Sequence, residues 1–365
     1  MKILTVVGNR PQFVKAAAVS GLLREKHEEV LVHTGQHHDD TLSKVFFTEL
    51  GLAQPDRELG IAGGSNESQT TRMIDALEDL IPAVAPDAVL VYGDTNSTLA
   101  GAQAGARAGV AVVHVEAGMR SFDPSMPEER NRIATDRLSD LLLCSSTTAA
   151  ENLRNEGIAA RTEVVGDVMV DVALRLQPAA RADTRTLSEY GVMPGAYLLL
   201  TAHRAGNVDD PLRLRAFFDL VKALPGPVVF PLHPRTRARL SDAGLLRELE
   251  TIDGLVVTDP LGYLEFSALI CQARAVVTDS GGVQKEAYLA GVPCITLRAN
   301  TEWVETVDAG WNTLVDLDTE TALAALERWP ISDRSPADHA PAPGGSNIYG
   351  DGHAAERCVA AIETL

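Results

Sequence analysis

No stretch of this 365-residue chain reaches the roughly 18 to 20 consecutive apolar residues of a membrane-spanning helix. The opening, MKILTVVGNRP, lacks the length and small-residue cleavage site of a secretory signal and reads as a first strand. A cytoplasmic protein with no membrane partner is the expectation. Positive charge is scarce: 32 Lys and Arg against 50 Asp and Glu give a net charge of −18. Such a field repels nucleic acid, although a few Arg and Lys side chains in a cleft would still suit an anionic small ligand. Cysteine is sparse too, and Cys144, Cys271, Cys294 and Cys358 show neither CxxC nor zinc spacing. Buried free thiols are expected. His37-His38-Asp39-Asp40 collects ligand types, but adjacent side chains seldom chelate one ion, so no metal is expected there. G-x-G-x-x-G after a strand and G-x-x-x-x-G-K-[ST] are both absent, which weakens NAD and ATP-hydrolysis readings. Repeats and low-complexity segments are missing as well.

What the chain does have is 45% hydrophobic and 22% charged residues, the profile of a globular enzyme, and length for two domains of about 150 residues each. Strand-like and helix-like runs alternate, which predicts parallel sheets covered by helices. In the first half the apolar runs are Ile3–Val7, Val30–His33, Ala88–Tyr92, Ala111–Val115, Leu141–Cys144 and Glu163–Val165. Amphipathic stretches such as Ser68–Val84 and Glu128–Leu138 lie between them. A second series runs through Tyr197–Thr201, Pro227–Pro231, Leu255–Thr258, Ala275–Thr278 and Pro293–Leu297. Gln177–Pro194 reads as the joint between the series. Ser332–Gly352 reads as a loop leading into a last helix, His353–Leu365. The expected architecture is α/β, two Rossmann-like doubly wound domains facing each other across a cleft.

Open parallel sheets bind ligands outside the carboxyl ends of their strands. Those ends read Gly8-Asn9-Arg10-Pro11 with Lys15 one turn on, Gly93-Asp94, and His114-Val115-Glu116 in the first half. In the second half they read Thr201-Ala202-His203-Arg204, Leu232-His233-Pro234-Arg235 and Thr278-Asp279-Ser280-Gly281-Gly282. Two basic side chains, three acidic ones and two histidines are thus expected on one rim. Ser280-Gly281-Gly282 is a strand-to-helix turn whose free N–H groups would suit a phosphate. Glu286, one turn past Gly282, would either accept from ribose hydroxyls or stand simply as an exposed helix carboxylate. Arg10 and Lys15 stand where diphosphate charge could be balanced, or else form salt bridges with Asp94 or Glu116. Glu128 and Glu129 follow Pro127 at a helix start, where carboxylates also serve simply as caps.

The motifs GNRPQFVK, VYGDTNSTLAG, HVEAGMRSF, MPEERNR, TAHRAGNVDD, HPRT, GYLEF, TDSGGVQKEA, TEWVE and NIYGDGHAAERC together resemble the bacterial non-hydrolysing UDP-N-acetylglucosamine 2-epimerases. The resemblance runs from Met1 to the C-terminus. It implies the GT-B architecture, with an N-terminal domain over 1–172 that the helix 353–365 rejoins and a nucleotide-binding domain over 173–352. It also implies catalytic roles for Asp94, Glu116 and Glu128, and places His203 beside sugar and diphosphate. Arg10, Lys15, Ser280 and Gly281 would hold phosphate, Glu286 the ribose, and Phe266 the uracil. His233 and Gly282 join the binding set from their strand-end positions. The implied enzyme is a homodimer that works on a UDP-sugar, releases and recaptures UDP, and needs neither NAD nor a metal, so no cofactor is expected.

The implied reaction suits these groups. A C2 proton of an N-acetylhexosamine is not acidified by a neighbouring ring carbonyl, so its removal is coupled to expulsion of UDP from C1. Inversion then needs a base and an acid on different faces, hence at least two carboxylates. Two departures stand out. His203-Arg204-Ala205-Gly206-Asn207 lacks the carboxylate of the common His-Arg-x-Glu-Asn, and Trp303 stands where many members carry Arg-Pro. TEWVE, NRPQFVK and VHTGQH also resemble the branch that epimerises UDP-2,3-diacetamido-2,3-dideoxyglucuronate. That branch, a hydrolysing relative, a GT-B glycosyltransferase and a nucleotide-sugar sensor without activity are the competing readings.

Overall fold

The computed structural model describes residues 1–36, 50–329 and 348–365. It divides into two compact units, Met1–Leu174 with Asn347–Leu365, and Arg175–Ser346. His37-His38-Asp39-Asp40 and most of Ser332–Gly352 lie outside the described residues.

The first unit begins β1 (Lys2–Val7), α1 (Arg10–Lys26), β2 (Glu28–His33), β3 (Arg57–Glu58), α2 (Asn66–Val84), β4 (Ala88–Tyr92) and α3 (Asn96–Arg107). It continues β5 (Ala111–Ala117), α4 (Pro127–Leu138), β6 (Leu141–Cys144), α5 (Thr147–Asn155) and β7 (Arg161–Val164), and α6 (Val168–Ala182) crosses its boundary. Its sheet is seven-stranded, in the order β3-β2-β1-β4-β5-β6-β7, with every pairing parallel. β4 and β6 are buried at every residue, as expected of strands covered on both faces. One face packs Leu4, Val6, Val89, Val91 and Val112 against Met73, Leu77 and Ile81 of α2.

The second unit runs α7 (Thr184–Glu189), β8 (Leu198–Thr201), α8 (Ala205–Val208), α9 (Pro211–Ala223), β9 (Val228–Pro231), α10 (Pro234–Asp242), α11 (Leu246–Leu249) and β10 (Leu255–Thr258). There follow α12 (Tyr263–Gln272), β11 (Ala275–Thr278), α13 (Gly281–Leu289), β12 (Cys294–Thr296), α14 (Val304–Asp308), β13 (Asn312–Leu314) and α15 (Thr319–Glu327). Its six strands lie in the order β10-β9-β8-β11-β12-β13, again all parallel. Alternate residues feed opposite layers: Leu198, Leu200, Val228 and Phe230 join one core, and Tyr197, Leu199 and Val229 the other. Counted from its own first strand, each sheet has the order 3-2-1-4-5-6, the first carrying β7 in addition.

Three expectations are adjusted. Gln177–Pro194, read as the joint, contains the end of α6 and all of α7, and the units divide just before it, between Leu174 and Arg175. Pro178 lies within α6, and the helix continues past it because its far half is tethered. Gln177 Nε2 donates to the Leu289 carbonyl at 3.0 Å and Arg181 Nη2 to that of Ala290 at 2.9 Å, satisfying the open C-terminal end of α13. The short edge strands β3 and β13 were also not foreseen. The last helix, α16, is trimmed to Ala354–Ile362. It packs on α1 in the first unit, where Lys26 meets Glu363 at 3.1 Å. Asp171 caps it, accepting from the N–H groups of Ala354 and Ala355 at 3.1 and 2.7 Å.

Candidate functional site

In each sheet the strand order reverses between two neighbours, β1 and β4 in the first unit and β8 and β11 in the second. The carboxyl ends of those strands carry most of the residues singled out above, so each unit is described at its own reversal point.

In the first unit Asn9 caps α1 by accepting from the Gln12 N–H, which sets Arg10 half-buried at the first helical position. Gln12 fixes this turn to its neighbours: Oε1 accepts from Gly8 N at 2.8 Å, and Nε2 donates to the Tyr92 carbonyl and to Thr98 Oγ1 at 3.0 and 2.9 Å. Lys15, buried one turn on, forms an ion pair with Glu116. Glu116 sits where the β5–β6 register shifts, at a backbone φ of +69°. A bulge of this kind re-aims a side chain, and the left-handed backbone of a non-glycine residue is strain kept in place by its surroundings. Between the pair lies Gly93, φ +65°, where a Cβ would stand 2.9 Å from Lys15 Nζ and 3.5 Å from Glu116 Oε1. The left-handed φ favours glycine here, and a side chain would also crowd the Lys15 ammonium.

Asp94 follows immediately and pairs with Arg132, whose other arm donates to Glu129 at 2.9 Å. Glu129 is buried and anchors the preceding loop, accepting from Ser121 N and Oγ at 2.9 Å and from Phe122 N at 3.0 Å. Phe122 is held at φ +56° and is 74% exposed as a residue. Asn131 donates to the Asp94 carbonyl at 3.1 Å. Glu128, half-buried in the first turn of α4, lies three and four residues before Asn131 and Arg132 and so shares the helix face that meets Asp94. The structure therefore gathers Lys15, Glu116, Asp94 and the Glu128 face around the ends of β4 and β5, each of the two strand-end acids facing its own cation.

In the second unit Asp279 departs from the rim expected of it. It is fully buried and accepts from His203 N (3.0 and 3.1 Å), Arg204 N (2.9 Å) and Asn207 Nδ2 (3.2 Å). It is a bolt between the β8 and β11 ends, because a buried carboxylate needs donors on its oxygens. The His203 ring remains partly exposed and stacks on His233, centroids 5.1 Å apart. His233 caps α10 through its Nδ1, which accepts from Arg235 N at 3.1 Å. Ser280 precedes α13 without capping it by its side chain, so the first-turn N–H groups of Gly281 and Gly282 are left to other acceptors. A Cβ on Gly281 would overlap Glu302 Oε1, and Arg298 Nη1 grips that buried carboxylate at 2.8 Å. Glu286 is half-buried one turn further along. Burial first, and the Glu286 charge second, push the Tyr263 phenol well above its ordinary range. Phe266 packs against the core layer beneath.

The departures from the common pattern have simple surroundings. A Cβ at Gly206 would meet nothing within 4 Å, so the missing carboxylate leaves no hole. Trp303 is buried with the Lys285 ammonium 4.2 Å from its ring centroid. Arg132, Asp136, Arg298 and Glu302 were not singled out from sequence, and Glu129 and His114 were noted there without these partners; the three-residue spacing of Glu129 and Arg132 on a helix was the one available signal. Among the described residues no His, Cys, Asp and Glu cluster could hold a metal ion, and no helix is long and apolar enough to cross a membrane. All four cysteines are buried and free.

Two parallel-sheet α/β domains, each with polar residues at its point of strand reversal, define a protein of the GT-B class. The sequence pattern of the family described as UDP-N-acetylglucosamine 2-epimerase matches residues 22–363, and the chain belongs to that family. It is 45% identical over 335 residues to a UDP-N-acetylglucosamine 2-epimerase homolog of Methanococcus maripaludis, covering 91% of this chain and 94% of that one. It is 44% identical over 369 residues to the UDP-2,3-diacetamido-2,3-dideoxy-D-glucuronate 2-epimerase of Pseudomonas aeruginosa, covering 98% of both. The crystal structure of Methanocaldococcus jannaschii UDP-GlcNAc 2-epimerase in complex with UDP-GlcNAc and UDP superposes with a TM-score of 0.91, at 36% identity and full coverage of both chains. Its relatives thus include archaeal proteins, and the restriction to bacterial members falls away.

Proposed function

We propose that this epimerase interconverts UDP-N-acetylglucosamine and UDP-N-acetylmannosamine without net hydrolysis. The observation that carries the reading is the pair of strand-end carboxylates, Asp94 and Glu116, each opposite its own cation, with Glu116 set by a bulge and a left-handed backbone. In this scheme a carboxylate takes the C2 proton while the C1–O bond breaks. The bonding pair from C2–H becomes the C1=C2 bond of a 2-acetamidoglucal, and the C1–O pair leaves on the β-phosphate of UDP. Addition of UDP back to C1, with a proton delivered to the other face of C2, inverts that centre. Asp94, Glu116 and Glu128 share this proton traffic, and His203 lies beside sugar and diphosphate. Arg10, Lys15, His233, the Ser280 hydroxyl and the N–H groups of Gly281 and Gly282 opening α13 meet the diphosphate charge that grows as the bond breaks. Glu286 takes the ribose and Phe266 the uracil. A cytoplasmic homodimer is part of the same proposal.

A second reading keeps the reaction and changes the sugar to UDP-2,3-diacetamido-2,3-dideoxyglucuronate. It is favoured by the 44% identity to the Pseudomonas protein, against 38% to the UDP-N-acetylglucosamine 2-epimerase of Methanococcus maripaludis. Purified enzyme offered each nucleotide sugar separately, with products followed by NMR, decides between them. Conversion of UDP-GlcNAc to its C2 epimer with free UDP remaining at trace level is expected. Free UDP rising in step with sugar loss would establish the hydrolysing reaction, and turnover only with an added acceptor would establish a transferase.

A further inference from the structure

His114 of β5 is completely buried, and both of its ring nitrogens are engaged at 2.7 Å. Nε2 faces the carbonyl oxygen of Gly93, which can only accept, so Nε2 carries a proton. Nδ1 faces Asp136 Oδ1. That carboxylate also takes Arg120 Nη1 at 2.7 Å and the N–H of Gly118 at 3.2 Å. Burial alone would raise the Asp136 pKa, but His114 and Arg120 outweigh it and hold the group below the usual carboxylate range. With the Arg120 guanidinium and the Gly118 N–H both pointing at it, Asp136 is an ionised carboxylate that only accepts, so Nδ1 must donate as well.

We infer that His114 is a buried imidazolium, a positioning residue that fixes the Gly93–Asp94 turn and places a positive charge behind Asp94 and Glu116. Gly93, whose carbonyl takes the ring's Nε2, also borders the Lys15–Glu116 pair, and its N–H donates to the Val115 carbonyl at 2.9 Å, completing the turn. The charged and titratable groups around the ring are Asp136 directly, with Arg120 and then Glu156 behind it, Lys15, Glu116 and Asp94 across Gly93, and Cys144. Burial first and Asp136 second push the Cys144 thiol up to about 12, so it stays neutral. The inference rests on the proton-transfer role proposed for Asp94 and Glu116. Arg132, itself held by Glu129, pairs with the Asp94 carboxylate, so His114, through the Gly93–Asp94 turn, and Arg132 together define where that carboxylate stands.

Nitrogen-15 NMR of histidine-labelled wild-type enzyme at pH 8 tests the charge directly, with His114→Gln serving only to assign the ring. Among nine histidines, one ring is expected to show two protected N–H groups; finding only one on the ring that disappears in His114→Gln, or no such ring, overturns the inference. His114→Gln keeps a donor for the Gly93 carbonyl and removes the charge. It is expected to lower kcat/KM roughly 10- to 100-fold, as a misplacement of a catalytic group does, and to move the acidic limb of the pH profile upward while UDP affinity holds. A variant that loses thermal stability but keeps the wild-type pH profile shows a merely structural histidine and overturns the positioning role. If His114→Gln fails to fold, the same profile measured on His114→Asn serves. Failure of the epimerase reading shows separately, as wild-type enzyme that places no deuterium at C2 of a UDP-sugar, and leaves the NMR result untouched.

Discussion

The two units share one strand order and differ in what stands at the point where it reverses. At the end of β4 and β5 the first unit presents carboxylates, each met by a cation drawn from another element: Lys15 from α1 and Arg132 from α4. At the end of β8 and β11 the second unit turns its acid inward, binding Asp279 to backbone N–H groups, and presents a histidine pair and the uncapped start of α13. The first arrangement is suited to moving protons and the second to holding an anion. The shared strand order therefore places polar side chains at the same point in each unit and leaves their kind to a few strand-end residues.

The sharpest way to break this comparison is to neutralise the acids. Glu116→Gln or Asp94→Asn is expected to lower kcat by roughly 10²- to 10⁴-fold, the usual range for general acid–base groups, while calorimetry shows UDP affinity within about twofold. Equal losses in both would erase the division of labour. The reverse experiment is Gly281→Ala, whose methyl group would press on the gripped Glu302 carboxylate. UDP affinity is expected to weaken about tenfold, or about 1.4 kcal/mol, and stability to fall by about 1–3 kcal/mol. The kcat of saturated enzyme should change little.

Acid offers a smaller effect with a defined sign. Asp136 titrates lower in the folded chain than its ordinary value of about 4. Its contribution to stability is thus present above that value and disappears as pH falls through the native pKa. Urea unfolding of wild type between pH 7 and 3 should show this loss, and Asp136→Asn, weaker at neutral pH, should show a flatter slope there. The smallest effect is a gain. Phe122→Gly relieves a left-handed backbone at an exposed ring and should stabilise by about 1 kcal/mol, seen as a rise in Tm of about 2–4 °C. A fall in Tm would show that the ring itself carries stability.

Much of the fold was legible because strands buried on both faces are written as continuous apolar runs. Ala88–Tyr92, Leu141–Cys144 and Ala275–Thr278 are buried throughout and end where the sequence places them, as does the partly buried edge strand Leu255–Thr258. The two-residue β3 and three-residue β13 are too short to give a pattern. The reach of α6 past Pro178 depends on carbonyls of α13 more than a hundred residues away. For the candidate site, strand ends told where polar groups collect, while the partner of each group was a matter of tertiary contact. Nothing in the spacing of Asp94 and Arg132, or of Arg298 and Glu302 outside a helix, announces an ion pair. Asp279 and Asp94 likewise look alike in sequence, each one or two residues past a strand, and only the fold shows one facing inward and the other paired at the end of its strand.

The most direct test of carboxylate-driven exchange at C2 is to run the epimerisation in deuterated water and follow the sugar by NMR. Deuterium is expected at C2 of both epimers, at a rate that falls with kcat in Glu116→Gln and Asp94→Asn. Full interconversion with the original hydrogen retained at C2 would contradict the account.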